Sequence, residues 1–251
     1  LKYGLRFSAF QYLGAGKAYD YADAQSPLDS RTVSGVTNYS KNEVISDYYN
    51  LEPRFSIKVD VDSVSSVKAS YNRMSQYLHL MSNTAAATPL DVWSPTTNNI
   101  KPELADQIAV GYFRNFGKDL GFEASSELYY KILQNQIGYV PDANLTLNEF
   151  YEGDLLFGNG RAYGMEFLVK KTSGKFTGWI SYTLSKSEIK IDNVNNNDWY
   201  PSRYDRTHVG TLILSYAFTK RYELSTNFVY NTGIPATFST NSFEVQGFSI
   251  P

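Results

Sequence analysis

The sequence contains no cysteine, which removes a disulfide framework and every thiolate-based metal or redox site. Histidine is nearly as scarce. Only His79 and His208 occur, far apart and without an HExxH context, so no metal site is expected. No run approaches the ~18 consecutive apolar residues that a membrane-spanning helix needs, which excludes a helical membrane protein. An excess of one charge is missing too. With 23 basic and 25 acidic side chains the net charge is -2, which leaves no electrostatic footprint for nucleic acid.

Motifs that carry chemistry are equally thin. Gly14-Ala15-Gly16-Lys17 lacks the full phosphate-loop pattern, and GNGRAYG at 158–164 fails GxGxxG, so both read as loop glycines. Glu123 and Glu127 lie two same-side positions apart on one expected strand, ~13 Å at strand rise. That exceeds the ~6.5–9.5 Å of an inverting glycosidase pair. With no nucleophile beside a base, the chain is expected to be no enzyme and to carry no cofactor.

What is abundant is aromatic surface: 21 Tyr and 15 Phe in 251 residues. Tyrosine has an apolar ring and a hydroxyl that wants water, which suits an oil–water boundary or a sugar-binding face. Period-2 alternation dominates. Phe122, Ala124, Ser126, Leu128, Tyr130 and Ile132 point one way, and Glu123, Ser125, Glu127, Tyr129 and Lys131 the other. Tyr163, Met165, Phe167 and Val169 oppose Glu166, Leu168 and Lys170 in the same manner. So do Leu212, Leu214 and Tyr216 opposite Thr211 and Ser215, and Leu224, Phe228 and Tyr230 opposite Glu223, Ser225 and Asn227. One apolar and one polar face fit an antiparallel sheet whose two sides see different media.

The connections alternate in length. Tight turns are expected around Asp62-Ser63, Gly117-Lys118-Asp119, Thr172-Ser173-Gly174-Lys175 and Thr219-Lys220-Arg221. Long segments are expected at 13–50, 81–102, 140–160 and 191–207. Short turns at one end and long loops at the other are the layout of outer-membrane barrels. The expected strands reach the ~9–11 residues that a tilted transmembrane strand needs. The expected fold is therefore all-β, an antiparallel transmembrane β-barrel meander of about nine strands.

Several strings add a family resemblance. LEPRFSIKVDV (51–61), SSVKASYNRMSQYLHLMSN (65–83) and PLDVWSPTTNNIKPELADQIAVGYFRNF (89–116) resemble barrel segments of the TonB-dependent outer-membrane receptors, especially those of Bacteroidetes. GNGRAYGMEFLVKKTSGKFTGWISYTLSKS (158–187), WYPSRYDRTHVGTLILSYAF (199–218) and NFVYNTGIPATF (227–238) are similar to later strands of the same barrels. The resemblance implies energised uptake of a nutrient ligand such as a siderophore, cobalamin, glycan or peptide. Its partners would be outer-membrane lipid, the protein's own plug domain, and a TonB complex that pulls on the plug. Whether a surface lipoprotein sits on top stays open. About nine strands cannot close the ~22-stranded plugged barrel of this type. Residues 1–251 are thus expected to be a C-terminal-half fragment of the barrel, with plug and closing strands outside it.

Substrate contact is expected from the long loops, with Trp93, Trp199, Tyr200, Arg203, Tyr204, Asp205 and Arg206 as first candidates, since aromatics and arginine dominate recognition surfaces. The plainer reading is that Tyr200, Pro201, Asp205 and Arg206 fix loop structure while Tyr and Trp form an interfacial girdle. Lys68, Glu123, Lys131, Glu166, Lys170 and Glu223 are expected on the lumen wall. Two rivals remain: a passive outer-membrane channel, and a soluble β-rich glycan-binding domain.

Overall fold

The structure is a computed structural model that describes residues 1–82, 92–117, 121–141, 143–145, 147–235, 243–245 and 248–250. Lys118 and Asp119 of one expected turn lie outside the described residues, as do 83, 89–91 and 236–238 of three family-like strings.

The chain forms strand after strand, and among the described residues no α-helix occurs, only two short 3-10 turns. Strand β1 (Lys2–Leu13) leads into a loop hairpin, β2 (Gly16–Tyr21) and β3 (Val33–Tyr39), before β4 (Val44–Asp60). Strand β5 (Ser65–Gln76) leads into a second hairpin, β6 (Leu78–Met81) and β7 (Val92–Pro95), before β8 (Glu103–Phe116). Next come β9 (Phe122–Tyr139), β10 (Leu155–Lys171), β11 (Phe176–Ile191) and the two-residue β12 (Tyr200–Pro201). They are followed by β13 (His208–Ala217), β14 (Glu223–Asn231) and a small pair, β15 (Phe243–Val245) and β16 (Phe248–Ile250).

Nine of these strands pair in the order β1-β4-β5-β8-β9-β10-β11-β13-β14, every pairing antiparallel, with β12 added beside β11. The fold is an all-β antiparallel meander of barrel type, and the sheet is not closed: β1 and β14 form its two ends. The strands run from 9 residues in β14 to 18 in β9. They are long enough to cross a bilayer at the usual tilt.

Register decides which side chains share a face, because directly opposed residues in an antiparallel pair lie on the same side. One rung runs Val110, Leu128, Met165, Leu184 across β8 to β11. A rung on the other face runs Lys68, Gly111, Glu127, Glu166, Thr183 across β5 to β11. The apolar face continues into β1 and β4 through Leu5, Phe7, Leu51 and Phe55, and into β14 through Leu224 and Phe228. Neither face is covered by a second layer among the described residues: Leu128 keeps 55% of its surface on the apolar face, and the side chains of Lys170 and Glu123 keep 45% and 51% on the polar one. A soluble sandwich would hide one of these faces in a core ~10 Å thick, and this sheet hides neither.

The buried apolar residues lie elsewhere. Ile45, Met81, Ile100, Val140, Leu145, Leu155 and Ile191 gather at the long-loop end, and among the described residues Ala109 alone of the buried apolar side chains sits mid-strand. Met81, Ile100, Leu145 and Leu155 pack as one cluster, joined by Val92, Ile137, Tyr139 and Phe157. The loops at this end have a core of their own.

Two expectations change. The loop expected at 13–50 is shorter than that: β4 begins at Val44 and pairs with β1 from Leu13↔Val44 to Lys2↔Ser56. Polar residues such as Asp47 and Asn50 masked its first half. The β4–β5 ladder begins only at Arg54↔Asn72, beside Pro53, which has no N–H to give. The glycines of GNGRAYG are strand residues in β10, not loop residues. A Cβ on Gly158 would lie 2.1 Å from the carbonyl oxygen of Lys190, so a bare backbone is what lets β11 approach. At the other end of that hairpin Gly174, with φ +92, closes the tight turn.

Candidate loop site

The residues that organise the long-loop end come from three loops far apart in sequence, and they converge on Glu152. The 3-10 turn Tyr151–Asp154 places this carboxylate among the loops, where only 8% of the residue is exposed. Its Oε1 accepts a hydrogen bond from the Thr97 hydroxyl at 2.8 Å, and its Oε2 accepts one from the Asn99 amide at 2.6 Å. Arg31 donates to the Glu152 carbonyl at 2.7 Å, its backbone N–H donates to the Gly153 carbonyl, and its guanidinium lies 5.3 Å over the Tyr21 ring. The Tyr48 hydroxyl ties the Thr97 carbonyl to β4 at 2.7 Å, and Ser94 and Tyr151 share a 2.6 Å hydrogen bond. A buried carboxylate is tolerable only with such partners. Burial also pushes the Tyr151 hydroxyl up to about 12 and raises that of Tyr21, so both stay neutral at ordinary pH.

Two clefts flank this hub. The larger, about 570 Å³, is lined by Val33, Val36, Arg31 and Phe150 among others. The smaller, about 340 Å³, is lined by Tyr12, Ile45, Asn98, Asn99 and Tyr151 among others. Lys17, Tyr19 and Glu149 border both. Lys17 meets Glu149 at 3.3 Å, the Tyr19 hydroxyl donates to the same Glu149 oxygen, and the Tyr19 ring stands edge-on to Phe150 at 5.1 Å. The Tyr19 hydrogen bond, and after it Lys17, hold the Glu149 carboxyl below the usual carboxylate range. The same carboxylate raises Lys17.

The loop residues singled out from sequence sit elsewhere. Trp93 lies in β7 opposite Leu80 and is 59% exposed. Trp199 stacks under Arg161, 4.3 Å from the guanidinium, where Arg161 and Lys186 both pair with Glu188 at 2.7 Å. Tyr200 and Pro201 pair with β11 at Ile189 and Glu188. Asp205 accepts from the Ser187 N–H at 2.6 Å, and the Arg206 carbonyl accepts from the Ser185 hydroxyl at 3.1 Å. Arg203 donates to the Ser82 carbonyl and lies 5.8 Å over the Tyr139 ring, while Tyr204 is exposed. None of the seven lines either cleft.

The six wall residues all fall on the polar face by register. Lys170 and Glu123 are directly opposed and form an ion pair at 3.8 Å. Lys131 faces Gln107 and Ala162, Glu166 faces Glu127, Lys68 faces Gly111, and Glu223 faces Ala217. Sequence reasoning missed Lys17, Tyr19, Arg31, Asn99, Glu149 and Glu152. The signal available for the last two was EFYEGD (149–154), three carboxylates in six residues of an otherwise Asn- and Thr-rich loop.

His79 adds a pH response to this end. It is 2% exposed in β6, its Nε2 lies 3.1 Å from the Thr96 hydroxyl, and its Nδ1 has no hydrogen-bond partner among the described residues. Burial lowers its pKa below the ordinary 6.5. A lowered folded value means that the unfolded segment takes up a proton first. The packed loop is therefore fully favoured above 6.5 and loses stability as the pH falls below it. Protection factors of the β6 and β7 amides, taken against the intrinsic exchange rate at each pH, should fall between pH 7.5 and 5.5, and His79→Leu should remove that fall.

The geometry defines an antiparallel barrel-wall meander capped on one side by packed loops. No family model matches the chain, and no curated protein matches it. Among solved structures it is similar to the FrpB iron transporter from Neisseria meningitidis (F3-3 variant), itself a β-barrel. The TM-score is 0.50 with 16% identity, over 74% of this chain and 27% of that one. The likeness is one of fold, and it carries no sign of the Bacteroidetes type.

Proposed function

We propose that this chain is part of the wall of an outer-membrane β-barrel that takes up a nutrient ligand, with the packed loops outside and the tight turns in the periplasm. One observation carries the reading: a single-layer sheet with an apolar face and a polar face, whose connections alternate between tight turns and loops with their own core. A long sheet with both faces bare is suited to lipid on one side and a wet lumen on the other. Among the described residues no helix is long and apolar enough to cross a membrane, so the strands would do the crossing. In hydrocarbon, unpaired strand edges at β1 and β14 would each leave a row of backbone groups unsatisfied. Further strands therefore complete the circle.

The structural neighbour is named as an iron transporter. Carried over together with the family resemblance, this gives an energised importer: loops capture ligand, a plug fills the lumen, and a TonB complex drives the plug. A surface lipoprotein above the loops would fit the same scheme. No covalent step is needed.

The test begins with fractionation. The full-length protein should partition with the outer membrane and show heat-modifiable gel migration. In planar bilayers it should stay closed to potassium chloride, because the plug occupies the lumen. A steadily open conductance would instead mean a passive channel, and a monodisperse protein in plain buffer would mean a soluble binding domain.

A further inference from the structure

The two clefts beside Glu152 share a bonded trio of side chains in their linings, Lys17, Tyr19 and Glu149. At about 570 and 340 Å³ each is within the usual ligand-site range of ~300–1,000 Å³. Their charges are already spoken for. Lys17 pairs with Glu149, Arg31 holds the Glu152 carbonyl and the Tyr21 ring, and Glu152 accepts from Thr97 and Asn99. Asp154 accepts from the backbone of Asn144 and the amide of Asn148. Two cations stand against three carboxylates, so an anionic ligand would meet a net negative lining and would have to break an existing pair.

What remains unengaged is neutral. The Asn98 amide and the Tyr12 hydroxyl in the smaller cleft, and the Ser30 and Thr32 hydroxyls in the larger, make no side-chain hydrogen bond among the described residues; the Tyr19 ring borders both clefts and the Phe150 ring the larger. Free hydroxyls and amides next to aromatic rings match a ring compound whose edge is polar and whose face is apolar.

We propose that the two clefts form one binding site for a neutral carbohydrate, with Tyr19 and Phe150 as the ring platform and Asn98 and Tyr12 as hydrogen-bonding groups. This rests on the reading of the loops as the ligand-capturing end of a barrel. The carbohydrate fills both clefts, and the Lys17–Tyr19–Glu149 trio lies across its middle. Lys17 and Glu149 position Tyr19 and are not themselves the recognition groups.

The test uses the full-length protein in detergent micelles, first checked for the heat shift of a folded barrel. It is then applied to an array of neutral, sialylated and phosphorylated oligosaccharides. Neutral oligosaccharides should bind. Tyr19→Ala and, separately, Asn98→Ala should weaken them about tenfold, whereas Lys220→Ala in the turn at the opposite end should not. The double variant Lys17→Met, Glu149→Gln should keep the preference for neutral over acidic glycans. A folded barrel that binds no array member, prefers the acidic ones, or ignores both Tyr19→Ala and Asn98→Ala overturns the site and leaves the barrel reading standing. A preparation without the heat shift overturns the barrel reading and the site with it.

Discussion

An arginine placed at Leu128 should destabilise the folded barrel by ~2–4 kcal/mol, and one at Ser125 should change its stability little. The two positions are three residues apart on β9, but they lie on opposite faces. Leu128 shares its rung with Val110, Met165 and Leu184, all apolar, and keeps 55% of its surface in the single-layer sheet. Ser125 shares its face with Glu123, Glu127 and Lys131. If lipid covers the apolar face, the guanidinium at 128 sits in hydrocarbon, and snorkelling recovers only part of its hydration. Phe167→Arg, on the same face of β10, should behave like Leu128→Arg. Folding into short-chain lipid vesicles, followed by denaturant titration, measures each cost. Equal costs at 125 and 128 would put both faces in the same medium.

The second large effect belongs to Glu152. Replacing it by alanine leaves the Thr97 hydroxyl and the Asn99 amide without the carboxylate they now share. Hydrogen bonds to a charged group are worth ~1.5–3 kcal/mol each, and an orphaned buried donor costs a further desolvation term. Glu152→Ala should therefore release the loop carrying 140–154 and the one carrying Thr97 together, by at least ~3 kcal/mol of local stability. Limited proteolysis of the reconstituted protein should cut in these loops while the strand fragments survive. Glu152→Gln, which keeps one acceptor, should fall between. An unchanged cleavage pattern in Glu152→Ala would mean that the apolar cluster of Met81, Ile100, Leu145 and Leu155 holds the loops by itself.

The wall was legible in the sequence because its physics is local. Alternation in FEASSELYYKI assigns each residue of β9 to a face, and Thr172-Ser173-Gly174-Lys175 marks the β10–β11 turn by the one glycine with φ +92. Strand length and turn placement then follow without long-range knowledge. Where local composition misleads, the reading slips: Asp47 and Asn50 looked like loop residues, and the strand glycines near Gly158 looked like a loop motif. The loop cap was not legible, because Arg31, Thr97 and Glu152 meet only when the chain folds back over the 121 positions that separate the first from the last of them. No period or spacing announces such a meeting. The same distance effect explains Asp205, whose short polar side chain reads as a recognition group but holds the backbone of Ser187.

Residues 1–251 contain no cysteine, so labels placed within them meet no background from this part of the chain. Single cysteines from Ser125 to Ile132, each spin-labelled in the vesicle-reconstituted protein, report oxygen, which concentrates in hydrocarbon, against a nickel chelate confined to water. Accessibility should alternate residue by residue, with oxygen dominant at 126, 128, 130 and 132 and the chelate dominant at 125, 127, 129 and 131. A flat profile, or chelate access at 128 and 130 equal to that at 127 and 129, would contradict a wall standing between lipid and water.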